Sequence, residues 1–79
     1  MDIKTELKDH ICERFKATAS KSFLERATAV IDGATDEKEN LITAADRVSR
    51  MVTLFIDKNA GKEIYGELKQ KINESFPES

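Results

Sequence analysis

"AADRVSRMVTLFIDKNAG" (residues 44–61) decides the fold, because as a helix it carries apolar side chains on nearly every side. Together with residues just upstream, some of them form a line at intervals of four and three, the spacing of a buried helical stripe. That line is Leu41, Ala45, Val48, Val52 and Phe55, widened by Ala44 and Met51 on one side and by Ile42 and Ile56 on the other. The stretch therefore predicts a long central helix that contacts every other helix and needs cover on more than one flank.

The size and composition of the chain predict one small helical domain. Its 79 residues include only three glycines and one proline, which are too few turn-forming residues for a fold of many strands and turns. Charged residues make up 35% of the chain, with both signs mixed along it and a net charge of −2. A sequence-independent nucleic-acid binder usually shows a clear basic excess, and this composition shows none.

Apolar periodicity and helix-end signals divide the chain into an all-α, antiparallel bundle of three or four helices. A break near residues 18–20 is favoured over a first helix that continues through this small, polar segment. The predicted helices are about 2–17, 20–32, 36–58 and 62–75, in a single domain of residues 1–76 followed by a short disordered tail, 77–79.

Several helix ends are predicted from capping residues and glycines. Ser22 with Glu25, and Asp36 with Glu39, match the capping-box spacing, and Thr35 is a second candidate cap for the third helix. Left-handed glycines are predicted to end the second and third helices, and a glycine inside the fourth either allows a close backbone approach or is merely tolerated. These glycines are, in order, Gly33, Gly61 and Gly66.

The cysteine count and hydropathy predict a cytoplasmic protein without a membrane segment. A single cysteine, Cys12, excludes an intrachain disulfide. The first ten residues lack the basic start and apolar run of a signal peptide. The longest uninterrupted apolar runs have three residues, as in the "LFI" at residues 54–56, far short of the roughly 20 residues that cross a bilayer.

No constellation of residues predicts catalysis, a metal or a cofactor. The "DKNAGKE" segment from Asp57 places neither glycine nor glutamate where a calcium-binding loop needs them, so we interpret it as a cap and turn. His10 and Cys12 are two residues apart and would point away from each other on a helix. Phosphoryl transfer at His10 is disfavoured because Glu6, Asp9 and Glu13 would repel a phosphate. We therefore expect a protein that is not an enzyme.

A helix-turn-helix that binds DNA is a weaker alternative. Ala29 and Gly33 have the four-residue interval of that motif's first helix and turn. The helix that follows would enter the major groove by its N-terminus. That N-terminus reads "TDEKEN" (residues 35–40), and its carboxylates would repel phosphate.

Two polar stripes lie on the predicted helix surfaces. Asp2, Glu6, Asp9 and Glu13 line one face of the first helix, which we interpret as a solvated face. An apolar anchor framed by cations is typical of an interaction hot spot. The second stripe has this form, with Arg47, Arg50, Leu54 and Lys58 spaced 3, 4 and 4 along the third helix.

Leu54 decides how the second stripe is interpreted. It is an anchor for a partner, a residue buried by the first or fourth helix, or a stray surface leucine. The first interpretation predicts a non-enzymatic protein–protein interaction or regulatory module whose partner is another protein or a second copy of the chain. The alternative is a nucleic-acid-binding regulator that uses the basic residues Arg47, Arg50 and Lys58, with Lys62, Lys69 and Lys71.

Overall fold

The protein is an all-α bundle of four helices, seen in a computed structural model that describes residues 2–77. Met1, Glu78 and Ser79 lie outside the described residues, so of the predicted tail only Pro77, an exposed turn residue, is described. The helices are α1 (Ile3–Phe15), α2 (Lys21–Asp32), α3 (Lys38–Phe55) and α4 (Lys58–Ser75).

The four helices form a ring in which each packs against two neighbours. Backbones approach between α1 and α2, α2 and α3, α3 and α4, and α4 and α1, whereas α1 and α3 do not approach within residues 2–77. At the level of the backbones, α3 therefore has two neighbours, α2 and α4, rather than the three predicted, because a ring of four gives each helix only two adjacent ones. Antiparallel order is confirmed across α1 and α4, where His10 meets Glu67 and Arg14 meets Glu63.

The core lies on the ring axis, where every helix contributes one apolar stripe. Of the predicted line on α3, Leu41, Ala45, Val48 and Val52 have no solvent exposure. The accessible surface of 5011 Å² is close to the roughly 4,800 Å² expected for a folded monomer of this mass. The chain therefore buries its own core, which includes the apolar residues of α3 that were predicted to need cover.

Phe55 is the exception to the predicted buried line, since this residue is 68% exposed. It is the last residue of α3, and the chain leaves the helix at Ile56, so no further turn of α3 flanks the ring. Its edge contacts Phe23 of α2, with ring centroids 6.1 Å apart in a T-shaped arrangement. Phe55 thus belongs to the surface at this end of the bundle.

The turn between α1 and α2 occurs where the break was predicted, but a different serine caps α2. Amide groups of Thr18 and Ala19 donate to the Phe15 carbonyl and end α1. The Ser20 hydroxyl then accepts a hydrogen bond from the Phe23 amide at 3.1 Å. Ser20 has the extended backbone that an N-cap requires, whereas Ser22 is already helical, so the predicted Ser22 capping box is wrong.

The connection between α2 and α3 turns without a left-handed residue. Gly33 has φ of −76°, and its amide donates to the Ala29 carbonyl, while the Ala34 amide donates to the Ile31 carbonyl. Helix α3 begins after Glu37, so Asp36 is not its cap. Instead the Thr35 hydroxyl accepts from the Asn40 side-chain amide at 2.6 Å. A connection of this length reverses the chain gradually, which removes the need for positive φ.

The connection between α3 and α4 is shorter than predicted, and it moves both helix ends. Helix α3 ends at Phe55 rather than 58, and α4 begins at Lys58 rather than 62. The Asp57 carboxylate caps α4 by accepting from the Ala60 amide at 3.1 Å. The interpretation of Asp57 as a cap is confirmed, and it is this cap that places Gly61 inside α4.

Gly61 brings α3 and α4 together. It is buried, and a Cβ atom placed on it would overlap the Thr53 hydroxyl and lie 2.9 Å from the Ser49 carbonyl oxygen. The Ser49 hydroxyl donates to the Gly61 carbonyl at 2.8 Å. The prediction of Gly61 as a left-handed helix end is therefore wrong, and the close approach considered for Gly66, which has open space around it, occurs at Gly61 instead.

The two observed caps can be tested against the residues that only the sequence favoured. We expect Ser20→Ala and Asp57→Ala each to lower the free energy of unfolding by about 1 kcal/mol, because each leaves a helix-start amide without its acceptor. Ser22→Ala and Asp36→Ala are the matched controls and should change it by less than about 0.5 kcal/mol. Urea unfolding followed by circular dichroism measures all four, and equal losses in each pair would contradict the cap assignment.

Candidate interaction surface

Three of the four predicted site residues share one exposed face of α3. Arg47, Arg50 and Leu54 follow each other at intervals of three and four and point away from the core stripe. Lys58 is the first residue of α4 and not part of α3, so the predicted stripe does not run along one helix. The short turn at Ile56 and Asp57 nevertheless keeps Lys58 at the same end of the bundle as Leu54.

Leu54 lies on the surface and is 78% exposed. The interpretation in which the first or fourth helix buries it is therefore wrong. Leu54 and Phe55 are the exposed large hydrophobic residues among the residues that the structure describes. They are consecutive, so a single turn of α3 presents both.

Phe55 was not predicted as a site residue, although the sequence contained a relevant signal. Asp57 is a residue type that often caps a helix start, and in the structure its carboxylate accepts from the Ala60 amide. Recognising this cap in the sequence would have placed Phe55 at the end of the preceding helix. Side chains at a helix end lose the neighbours that the next turn would supply. The periodicity alone pointed the other way, because Phe55 continues the buried line.

A shallow groove runs between α2 and α3 beside this surface. It consists of two hollows of about 540 and 190 Å³, and Arg26 lines both of them. Small and apolar side chains line the larger hollow, among them Ala29, Val30, Ala34 and Ala44, and Met51 and Phe55 line the smaller one with Phe23. We call the two hollows together the α2–α3 groove.

The charges on the α2–α3 groove all have one sign. Arg26 and Arg47 are exposed on it, and no aspartate or glutamate lines either hollow. Neither arginine forms an ion pair with residues 2–77, whereas Arg50 pairs with Asp46 one turn away at 3.1 Å. The groove is thus locally basic in a chain whose net charge is −2.

The basic residues of the nucleic-acid alternative do not form one surface. Lys58, Lys62 and Lys69 share an exposed face of α4, where the Lys69 ammonium lies 5.7 Å from the centre of the Tyr65 ring. Lys71 is on the opposite side of α4 and lines a hollow with acidic residues of α1, namely Glu6, Asp9 and Glu13. The predicted set therefore divides between two faces.

His10 belongs to an ion-pair cluster between α1 and α4. Its Nε2 atom lies 2.6 Å from the Glu67 carboxylate. The same carboxylate lies 3.6 Å from Nε of Arg14, whose guanidinium also forms an ion pair with Glu63. Cys12 is a half-buried free thiol. Among the described residues, no group of three or more His, Cys, Asp or Glu side chains is placed to hold a metal ion. The cluster has the form of a structural contact between helices.

Lys8 joins α1 to its other neighbour in the ring, α2. Its ammonium donates to the Asp32 carboxylate at 2.7 Å, and this hydrogen bond raises the pKa of Lys8 above its ordinary value. Ion pairs thus connect α1 to both of its neighbours. The exposed large apolar side chains among the described residues lie instead at the end of α3.

Within residues 2–77, no helix is both long enough and apolar enough to cross a membrane. No family model, curated protein or solved structure matches this chain.

Proposed function

We propose that this chain is a non-enzymatic helical interaction module that binds another protein through Arg47, Arg50, Leu54, Phe55 and Lys58. The observation that carries the proposal is the exposure of two consecutive large apolar side chains beside cations, on a bundle whose core is otherwise covered. Such a protein acts as an adaptor, a regulator or a stoichiometric inhibitor. Its single free cysteine suits a reducing compartment such as the cytoplasm.

The apolar pair supplies the binding energy in this proposal. Fully burying a leucine or phenylalanine side chain contributes about 1.5–3 kcal/mol each. Interfaces concentrate their affinity in a few such anchors surrounded by polar contacts. Two anchors are fewer than an obligate dimer of large apolar faces requires, so the complex is expected to be reversible.

A different protein fits the surface better than a second copy does. A two-fold contact would bring the same patch of both copies together. Arg47, Arg50 and Lys58 of one copy would then meet the same cations of the other, and like charges across an interface are unfavourable. The homodimer therefore ranks second among the partners.

The proposal is tested by replacing the anchor with a charge. Leu54→Asp should reduce capture of partners from a lysate of the source cell at least tenfold, because it puts a carboxylate where an apolar contact forms. Its melting temperature should stay within a few degrees of the parent, because Leu54 contributes nothing to the core. Quantitative mass spectrometry of captured proteins and a thermal melt give the two readouts.

Asn73→Asp is the matched control for this substitution. Asn73 is exposed near the C-terminal end of α4, so the variant adds the same charge away from both the apolar pair and the α2–α3 groove. It should capture partners as the parent does. Equal capture by all three proteins, or unfolding of Leu54→Asp alone, would contradict the proposal.

Nucleic-acid binding stands as the second candidate because Lys58, Lys62 and Lys69 line one exposed face of α4. Light scattering with a short DNA duplex separates the two functions. A DNA complex whose affinity falls steeply with salt would favour this candidate, since phosphate binding releases counterions.

A further inference from the structure

We propose that the α2–α3 groove binds an acidic amphipathic helix of the partner protein. The apolar stripe of that helix would lie on the small side chains of the groove, and its carboxylates would pair with Arg26 and Arg47. The inference rests on the proposed function and extends it by stating the partner's chemistry. It also moves the centre of recognition from the outer face of α3 to the groove beside it.

The shape of the α2–α3 groove favours a helix. It follows two antiparallel helices from Ser20 and Phe55 at one end to Thr35 and Asn40 at the other. Helix α2 alone has 12 residues and is about 18 Å long. Small side chains along the larger hollow allow a third helix to approach closely, and apolar grooves between helices are a recurrent site for amphipathic partners.

The charge of the groove favours an acidic occupant. Arg26 and Arg47 are on opposite walls, one on α2 and one on α3, and both lack an ion-pair partner within residues 2–77. Carboxylates form bidentate hydrogen bonds with arginine, which fix geometry as well as charge. A basic occupant would meet two uncompensated guanidinium groups and no acid in the lining.

Nucleic acid and a second copy suit the groove less well. Phosphates gain nothing from a lining of Ala29, Val30 and Ala44. The chain's own acidic stripe is on α1, diagonally across the ring from α3. A contact between α1 of one copy and the groove of the next would be head-to-tail, and such contacts produce rings or open chains of molecules rather than two-fold pairs.

A selection from random peptides of about 16 residues, long enough for a helix of roughly 24 Å, tests the chemistry without a known partner. The folded chain is the target, and the selected peptides are then made and measured by fluorescence anisotropy. We expect them to carry more Asp and Glu than Lys and Arg, with apolar residues at intervals of three and four. Selected peptides without an acidic excess, or no enrichment at all, would overturn the inference.

Two variants locate the binding. Ala29→Trp fills the larger hollow from an exposed position on α2, and the pair Arg26→Glu with Arg47→Glu reverses the groove charge. Each should weaken the selected peptides at least tenfold. Gln70→Trp and Lys62→Glu make the same kinds of change on exposed α4 positions outside the groove and should stay within about twofold of the parent. Replacing the glutamates of a selected peptide by lysine should restore its binding to the charge-reversed variant. An unfolded variant could not regain binding in this way.

Leu54→Asp separates failure of the groove from failure of the proposed function. Peptides lost with Leu54→Asp but kept with Ala29→Trp would overturn the groove and leave the proposed function standing. Peptides lost with Ala29→Trp but kept with Leu54→Asp would support the groove and remove Leu54 from the binding surface. Peptides insensitive to both substitutions would overturn both. A mass that grows with concentration and is reduced by Ala29→Trp would show a second copy in the groove and overturn the acidic partner helix.

Discussion

Phe15→Ala should remove much of the stability of this domain, lowering its free energy of unfolding by about 3–5 kcal/mol. Phe15 is the last residue of α1 and only 2% exposed, so its loss leaves a cavity that the surrounding helices cannot fill. The truncation also removes the contact of the Arg14 guanidinium with the ring, 5.7 Å from its centre. A domain of 79 residues has a total of about 4–12 kcal/mol, so the variant should be partly unfolded at 37 °C.

Phe55→Ala is the matched control, since it removes the same side chain from an exposed position. It should cost less than about 1 kcal/mol, because only the edge contact with Phe23 is lost. Urea unfolding of both variants at one temperature gives the comparison. Comparable losses would mean that Phe55 is part of the core, as its position in the apolar line had indicated, and would contradict the exposed pair on which the proposed function depends.

Gly61→Ala should lower the free energy of unfolding by about 1–3 kcal/mol, although alanine is the better helix former. The added methyl group would overlap the Thr53 hydroxyl and press on the Ser49 carbonyl, so α4 must shift outward. That shift weakens the Ser49 hydrogen bond to Gly61 and loosens the most closely packed pair of helices.

Gly66→Ala makes the identical chemical change with the opposite expected sign. Nothing lies within 4 Å of its added Cβ, so only the gain in helix propensity remains, about 0.5–1 kcal/mol of added stability. Combining Thr53→Ala with Gly61→Ala should recover part of the loss by removing the hydroxyl. Denaturant midpoints for the three variants measure these changes, and equal effects at the two glycines would contradict the close approach.

The helix content could be predicted from sequence because each helix buries one stripe at the 3.6-residue period. Leu7, Ile11 and Phe15 on α1 follow that rule, as do Ile64 and Leu68 on α4. Helix ends were less predictable because one residue type has several roles. A glycine after a long apolar run indicates a helix end, yet Gly61 lies inside α4, since Asp57 starts that helix four residues earlier.

The exposed residues Arg47, Arg50 and Leu54 were predictable because they lie on one face of one helix. The α2–α3 groove was not, since Arg26 and Arg47 are far apart in sequence and become neighbours only through the packing of α2 on α3. Phe55 was assigned to the core because periodicity describes an endless helix, whereas this one ends at that residue. A groove between two helices can be predicted only when the positions of both helices are known, and the residue pattern within one helix does not give them.

The contact at Gly61 also bears on the order in which the bundle assembles. Ser49 and Gly61 are 12 residues apart, whereas His10 and Glu67 are 57 residues apart. Closing the shorter loop costs less chain entropy, so the hairpin of α3 and α4 is expected to form first and to serve as the folding nucleus. Docking of α1 against α4 then closes the ring late. In such a pathway, changes at Gly61 slow folding, while changes at His10 mainly speed unfolding.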